Sequence, residues 1–126
     1  FIATANNKVL KNYKYHISNV WEPSSRIDRI TELLKSKKEH SVKDFQKYQI
    51  DQVSKYAADI TPFIVKAFNA SDSLTPNMAT ALGLLRYWDF NMSKESQTPA
   101  IYSVFFNKFM KNIFLDDMGQ QFYSQY

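Results

Sequence analysis

Residues 22–38 read EPSSRIDRITELLKSKK, the clearest helix signal in the chain. Ser24 or Ser25 can cap the amino end of this helix, and lysines fill its last turn, where the helix dipole favours cations. Four apolar residues recur at a spacing of three or four and share one helix face: Ile27, Ile30, Leu33 and Leu34. This spacing predicts an amphipathic helix from about residue 24 to residue 37.

A second helix signal begins at Ser41, which forms the S-x-x-D pattern of a capping box with Asp44. An apolar stripe at helical spacing follows, interrupted by the polar residue Gln49. The stripe consists of Val42, Phe45, Val53, Tyr56 and Ile60. The pattern predicts a helix that buries this stripe.

Three Thr-Pro pairs indicate further helix starts, at 61–62, 75–76 and 98–99. Threonine is a good N-cap, and proline is tolerated at the first helical position because the N–H there has no acceptor within the helix. The pairs predict a short helix over 62–69, one from 76, and a long one from 99 to about 115. Gly83 suggests close approach of a neighbouring backbone. The chain is therefore predicted to be mainly α, with about five helices.

The last predicted helix has more apolar surface than one neighbour can cover. Its core side has Ile101, Val104, Phe105, Phe109 and Ile113, and an adjacent side has Phe106, Met110 and Phe114. The surplus predicts contact with protein outside this segment. At the other end, only FIAT at 1–4 reads as a strand, and four residues cannot form a sheet alone. A short extended N-terminal segment is expected.

Composition excludes several classes of protein. A chain of 126 residues with 44% hydrophobic content and 20 aromatic residues can bury a core, so it should not be disordered. The net charge is +4, but the lysines are scattered, and the dense run KSKK at 35–38 is read as a solvated helix end rather than a nucleic-acid site. The absence of cysteine excludes disulfides and thiol nucleophiles. No apolar run approaches the roughly 20 residues of a membrane span.

No set of side chains in this sequence suffices for catalysis. His16 and His40 lack spaced partner ligands, so no metal site is predicted. Asp116 and Asp117 directly follow the predicted end of a helix and are interpreted as loop or surface residues. There is no G-x-S-x-G motif and no glycine-rich phosphate loop.

Two polar features remain as candidates. ATANN at 3–7 contains Asn6 and Asn7, and asparagine either occupies turns or, at a strand end, donates its amide to a developing oxyanion. Arg26 and Arg29 lie at a helix start, where the dipole disfavours cations. Both read first as surface or ion-pair residues. The mismatch nevertheless favours a specific anion or amide partner, which makes Arg26 a candidate site residue.

Three stretches together resemble the penicillin acylase family. ATANN, a Tyr-rich connection and WEPSSRIDRI at 21–30 resemble one conserved region of these enzymes. FQKYQIDQVSKYAADITPFI at 45–64 resembles the following helix with its Q-x-D core, and 84–109 resembles the W-D-G element and the helix after it. Phe90 stands where the family has the glycine of W-D-G, which puts the turn geometry there in question.

The resemblance implies an N-terminal nucleophile hydrolase, in which a self-cleaved precursor exposes a serine whose own α-amino group acts as the base. An α-amino group titrates near ~8, so it can accept the hydroxyl proton without a histidine. In the family, the first Asn of the pair donates its side-chain amide to the oxyanion hole, and an arginine at the start of the next helix helps hold the site. These catalytic-site positions are Asn6 and Arg26 here, and Asn7 is expected to be a turn residue.

The resemblance further implies that 1–126 is a single helical segment of the β-chain region of a larger αββα enzyme. The expected substrate is a penicillin, an acyl-homoserine lactone or a related N-acyl compound. The expected partners are the remainder of the parent enzyme and that substrate, with no nucleic acid and no membrane. No cofactor or metal is expected in this chain, although calcium occurs in some members. A periplasmic or secreted location is implied, with the cytoplasm as the alternative. The competing interpretation is a free-standing helical protein-interaction module, which the surplus aromatics and basic charge favour.

Overall fold

A computed structural model describes residues 1–10, 12–69 and 73–125, and this part of the chain contains five α-helices. They are α1 Ser25–Lys35, α2 Val42–Gln49, α3 Lys55–Asn69, α4 Pro76–Arg86 and α5 Thr98–Tyr123. The prediction of a mainly α chain with five helices is confirmed. None of the described helices is both long enough and apolar enough to cross a bilayer.

The chain divides into two compact units, residues 1–59 and residues 60–126. In the first unit, FIAT forms no strand within the described residues 1–4, and Ile2 is 99% exposed. The reading of FIAT as a strand is therefore wrong, because four residues have too few backbone hydrogen bonds to hold a strand without a partner. The prediction of one segment over 1–126 stays a prediction.

Capping starts α2 as the sequence predicted. The Ser41 hydroxyl accepts a hydrogen bond from the Asp44 N–H at 3.3 Å, and the Asp44 carboxylate accepts one from the Ser41 N–H at 2.7 Å. Hydrogen bonds from Lys37 and Ser41 hold the pKa of the Asp44 carboxyl well below its ordinary value. In contrast, Ser24 occupies the N-cap position of α1 without a side-chain capping bond.

This difference predicts the effects of two matched substitutions in the chain. Ser41→Ala should lower the free energy of unfolding by about 1 kcal/mol, because it removes the capping oxygen, whereas Ser24→Ala should change it by only a few tenths. Urea unfolding followed by circular dichroism at 222 nm measures both. Equal losses for the two variants would contradict the capping account.

Helix α2 ends at Gln49 and α3 begins at Lys55, so the predicted stripe does not continue through residue 60 on one helix. Asp51 turns the backbone by accepting the Val53 N–H at 3.3 Å, and the Ser54 hydroxyl accepts the Ala57 N–H at 3.1 Å at the start of α3. Three of the five apolar residues of the stripe are open to solvent: Val42, which is 77% exposed, Phe45 and Tyr56. The prediction of one buried helical stripe is wrong, because local side-chain hydrogen bonds also end the helical path before Val53.

The three Thr-Pro pairs behave differently from one another. Thr75 caps α4 by accepting the Met78 N–H at 3.3 Å, with Pro76 as the first helical residue, as predicted. Pro62, however, lies inside α3, and Thr61 is only 2% exposed. The predicted helix start there is wrong because Ser54 already begins the helix. Thr98 is itself the first residue of α5, which has Gln97 at its N-cap position without a capping bond.

In the second unit, α4 and α5 pack together and the core is small. It contains Ile64, Leu82, Leu85, Trp88 and Tyr102, with the rings of Trp88 and Tyr102 5.4 Å apart. A Cβ built on Gly83 would meet no atom within 4 Å, so the predicted close backbone approach is wrong. Residues 70–72, between the predicted helices over 62–69 and from 76, lie outside the described residues.

The long helix α5 continues beyond its predicted end at about residue 115. It reaches Tyr123 with a local break at Gly119, whose φ of 71° suits glycine. Asp116 and Asp117 therefore lie on the helix, where both are exposed, and not in a loop. Part of the predicted core side is exposed as well: Val104, Phe109 and Ile113, together with Phe114 of the adjacent side.

Candidate active site

The candidate site is built around a turn at residues 5–7 in the first unit. Asn6 has a φ of 59°, a left-handed conformation that asparagine adopts more readily than most other residues. The Asn7 Oδ1 accepts a hydrogen bond from the N–H of the buried Ala5 at 3.0 Å. Both asparagines thus shape the turn, since Asn6 supplies the backbone angle and Asn7 the closing side chain.

A backbone hydrogen bond connects this turn to the segment before α1. The Glu22 N–H donates to the Asn6 carbonyl oxygen at 2.9 Å. Because the bond joins main-chain atoms, it fixes the Asn6 backbone independently of any side-chain rotamer. The turn and the start of α1 are thereby held close together.

The structure brings Asn6 and Arg26 into direct contact. The Arg26 Nη1 donates a hydrogen bond to the Asn6 Oδ1 at 3.2 Å, and both side chains are exposed. Arginine has donors only, so the amide atom that faces it must be the oxygen. This contact leaves the Nδ2 as the donor end of the Asn6 amide. Arg26 therefore has the amide partner that its place at a helix start suggested.

Arg29, one turn further along α1, makes a stronger contact. Its Nε and Nη2 donate to the two carboxylate oxygens of Asp51 at 2.8 and 2.7 Å, and its Nη1 lies 3.3 Å from a Glu32 oxygen. Lys55 reaches the other Glu32 oxygen at 3.4 Å. The hydrogen bonds from Arg29 lower the pKa of the Asp51 carboxyl, against the opposing effect of partial burial.

The Arg29–Asp51 contact confirms the ion-pair reading of Arg29, but sequence reasoning did not identify Asp51 as its partner. Two sequence features could have indicated this pair: Arg29 is the second arginine of R-x-x-R, and Asp51 is the acid of Q-x-D. Arg26, Arg29 and Asp51 line a shared depression of about 370 Å³ together with Ser25, Ser54 and Lys55. The described part of the first unit therefore places one amide, two guanidinium groups and one carboxylate around the start of α1.

The histidines have no part in this site. The carbonyl oxygen of Leu34 can only accept, so the His40 Nε2 donates to it at 3.0 Å, and the Nδ1 accepts from the Tyr48 hydroxyl at 3.0 Å. His16 lies in the exposed loop before α1. Within residues 1–10, 12–69 and 73–125, no three His, Cys, Asp or Glu side chains converge as a metal site requires.

The turn after α4 resolves the question raised by Phe90. This residue has a φ of 61°, so phenylalanine adopts the left-handed conformation that a glycine would adopt without strain. The Asn91 N–H donates to the Asp89 carboxylate at 3.0 Å, and the Trp88 indole N–H donates to the Asn91 carbonyl at 3.1 Å. The ring of Phe90 also contacts the ring of Trp88, with 5.4 Å between the centroids.

Comparisons with known proteins agree with the resemblance. The family model described as penicillin amidase matches residues 1–126. The chain is 29% identical to acyl-homoserine lactone acylases QuiP of Pseudomonas fluorescens strain Pf0-1 and of Pseudomonas syringae pv. tomato, and 25% identical to that of Pseudomonas aeruginosa. Each match covers 96% of this chain and 16% of the relative's length. No solved structure matches the chain significantly. Because the family model matches every residue of this chain, from 1 to 126, the chain belongs to the penicillin amidase family.

Proposed function

We propose that this chain supplies the side-chain oxyanion donor of an amide hydrolase, with Asn6 as the donor and Arg26 as the residue that orients it. The contact between Arg26 and the Asn6 oxygen, at 3.2 Å, carries the proposal. It directs the Nδ2 protons away from the arginine, so they are available to a substrate oxygen. An oriented donor needs no reorganisation when charge develops, which is the condition for stabilising a transition state.

In the proposed reaction, a serine oxygen attacks the carbonyl carbon of an N-acyl substrate and the carbonyl oxygen gains negative charge. The amide of Asn6 donates to that oxygen. The serine's α-amino group takes the hydroxyl proton and passes it to the leaving amine as the carbon–nitrogen bond breaks. Water then hydrolyses the acyl-enzyme. The serine and its amino group are proposed to lie in the remainder of a longer parent enzyme, because the chain spans 16% of its relatives' length.

The remainder of the parent enzyme is also proposed as the partner of the exposed apolar residues. Phe109 and Phe114 on α5 are each more than two-fifths exposed. Apolar side chains exposed to water on one helix are unfavourable in a free-standing domain and are typical of a surface that another segment covers. These exposed side chains, together with the family match, favour the enzyme over an independent interaction module. A periplasmic or secreted location, and activity without a cofactor bound by this chain, belong to the same proposal.

The relatives are named as acyl-homoserine lactone acylases, so an N-acyl-homoserine lactone is the first substrate to test, before penicillins and other N-acyl amides. The parent enzyme should release free homoserine lactone and a fatty acid, because an amide hydrolase cuts the carbon–nitrogen bond. Mass spectrometry and an amine-reactive fluorophore both detect this product.

The isolated chain 1–126 serves as the control and should give no product, since it lacks the proposed nucleophile. Opening of the lactone ring without amine release would contradict amide hydrolysis. Turnover by chain 1–126 that survives extensive purification would contradict the assignment of the nucleophile to another segment.

A further inference from the structure

We propose that Arg29 and Asp51 are positioning residues: their paired hydrogen bonds set the rotation of α1 about its axis and thereby hold Arg26 against Asn6. The inference rests on the proposed function, because it assigns the pair a role only if the Asn6 amide takes part in the reaction.

Arg26 and Arg29 are three residues apart on α1, so they are neighbours on the helix surface. Arg29 presents two parallel donors to the two oxygens of Asp51, at 2.8 and 2.7 Å, and such a fork fixes a plane as well as a distance. A helix held in one plane at Arg29 has a defined rotation, and this rotation determines where the Arg26 side chain begins.

The contacts made by Arg26 and by Arg29 differ in strength. Arg26 reaches Asn6 through one exposed hydrogen bond at 3.2 Å, which is too weak to orient a helix. The side chains of Arg29 and Asp51 are only 21% and 17% exposed, so solvent screens their attraction less. The stronger contact therefore imposes its geometry on the weaker one.

Asp51 is itself held in place by the backbone. Its Oδ1 also accepts the Val53 N–H at 3.3 Å, which ties the carboxylate to the turn between α2 and α3. Glu32 and Lys55 add an outer ion pair at 3.4 Å between the same two regions. The anchor of α1 is thus a short backbone turn and not a mobile side chain.

A double-mutant cycle in the matured parent enzyme tests the inference. Asp51→Asn should lower kcat by about tenfold with little change in KM, because the Asn6 amide loses its orientation when charge develops. In an Asn6→Gly background the same substitution should change kcat by less than about twofold, since no donor remains to be positioned. A merely structural role would lower activity by the same factor in both backgrounds, and this result would overturn the inference.

Arg29→Lys provides a second variant that is less disruptive to folding, because lysine keeps the charge and loses only the fork. It should also lower kcat, and an unchanged kcat in the folded Arg29→Lys enzyme would overturn the inference. Asp51→Glu should recover part of the loss because it restores a carboxylate. Asp44→Asn is the matched control. Asp44 is also a paired carboxylate, but its bonds to Lys37 and Ser41 are made at the start of α2 and not to α1, so kcat should not change.

The same cycle separates this inference from the proposed function. If Asn6→Gly lowers kcat strongly while Asp51→Asn acts equally in both backgrounds, the oxyanion donor stands and the positioning role is wrong. If Asn6→Gly leaves kcat near normal, the oxyanion role of Asn6 is wrong, and the positioning role is overturned with it.

Discussion

Replacing Asn6 by alanine in the matured parent enzyme should lower kcat by about 10²- to 10³-fold, with KM nearly unchanged. An oxyanion donor interacts most strongly when the carbonyl oxygen carries charge, so its loss raises the transition state by about 2.7 to 4 kcal/mol and affects substrate binding little. Steady-state kinetics with an N-acyl-homoserine lactone, normalised to the amount of matured enzyme, measures the effect.

Because the Asn6 backbone is left-handed, a glycine variant is needed beside the alanine variant. Alanine at a φ of 59° adds strain of about 1–2 kcal/mol, so we expect Asn6→Ala to lower stability as well as activity. Asn6→Gly removes the same amide without that strain, so it should reproduce the kcat loss with less effect on folding. If glycine restored activity, backbone strain and not the missing donor would explain the alanine result.

Asn7→Ala is the matched control for both variants. It removes the hydrogen bond to the Ala5 N–H, so stability should fall by about 1 kcal/mol with only a modest change in kcat. Maturation must be verified by the mass of the processed chains, because self-cleavage could use the same donor. A large kcat loss in Asn7→Ala with near-normal Asn6→Gly would place the donor at Asn7.

Replacing Arg26 by alanine should lower kcat by about 10- to 100-fold. The loss of this contact lets the Asn6 amide rotate away from the position that stabilises the oxyanion, and a 10- to 100-fold decrease corresponds to about 1.4–2.7 kcal/mol of transition-state stabilisation. Arg26→Lys should fall between alanine and the wild type, because lysine keeps the charge and lacks the planar fork. Thermal unfolding should change little, since both side chains of the contact are exposed.

The second unit contains a matched control for Arg26. Arg86 donates from its Nη2 to the Asn69 Oδ1 at 2.6 Å, which is the same kind of exposed contact between arginine and asparagine. Arg86→Ala should therefore leave kcat unchanged. A similar loss in both variants would show that surface arginines affect the enzyme generally, and it would contradict a specific role for Arg26.

The start of a helix was predictable where the capping side chain and the backbone N–H that it accepts lie within three residues of each other. The capping box of Ser41 with Asp44, and the Thr75 cap of α4, could be read directly from the residues. Such hydrogen bonds form whenever the backbone turns into a helix, so they need no information about distant segments.

The same rules failed where a stronger local signal competed. Thr61-Pro62 matches the start pattern of Thr75-Pro76, but Ser54 caps α3 earlier and Pro62 is carried inside the helix. The prediction that one helix continues beyond Gln49 was wrong because the Asp51 side chain accepts the Val53 N–H and holds the chain in a turn there. Periodicity records which residues would share a face, but it does not show that the helix continues.

The sequence by itself determined the helical class, the helix starts with local caps and, through the resemblance, Asn6 and Arg26 as candidate site residues. Only the tertiary structure decided that these two side chains meet, that Asn6 has a left-handed backbone, and that Asp51 receives Arg29. The physical reason is range. A cap forms between neighbours along the chain, whereas the contact of Asn6 with Arg26 depends on how the loop before α1 returns, and the contact of Arg29 with Asp51 depends on where the chain turns after α2.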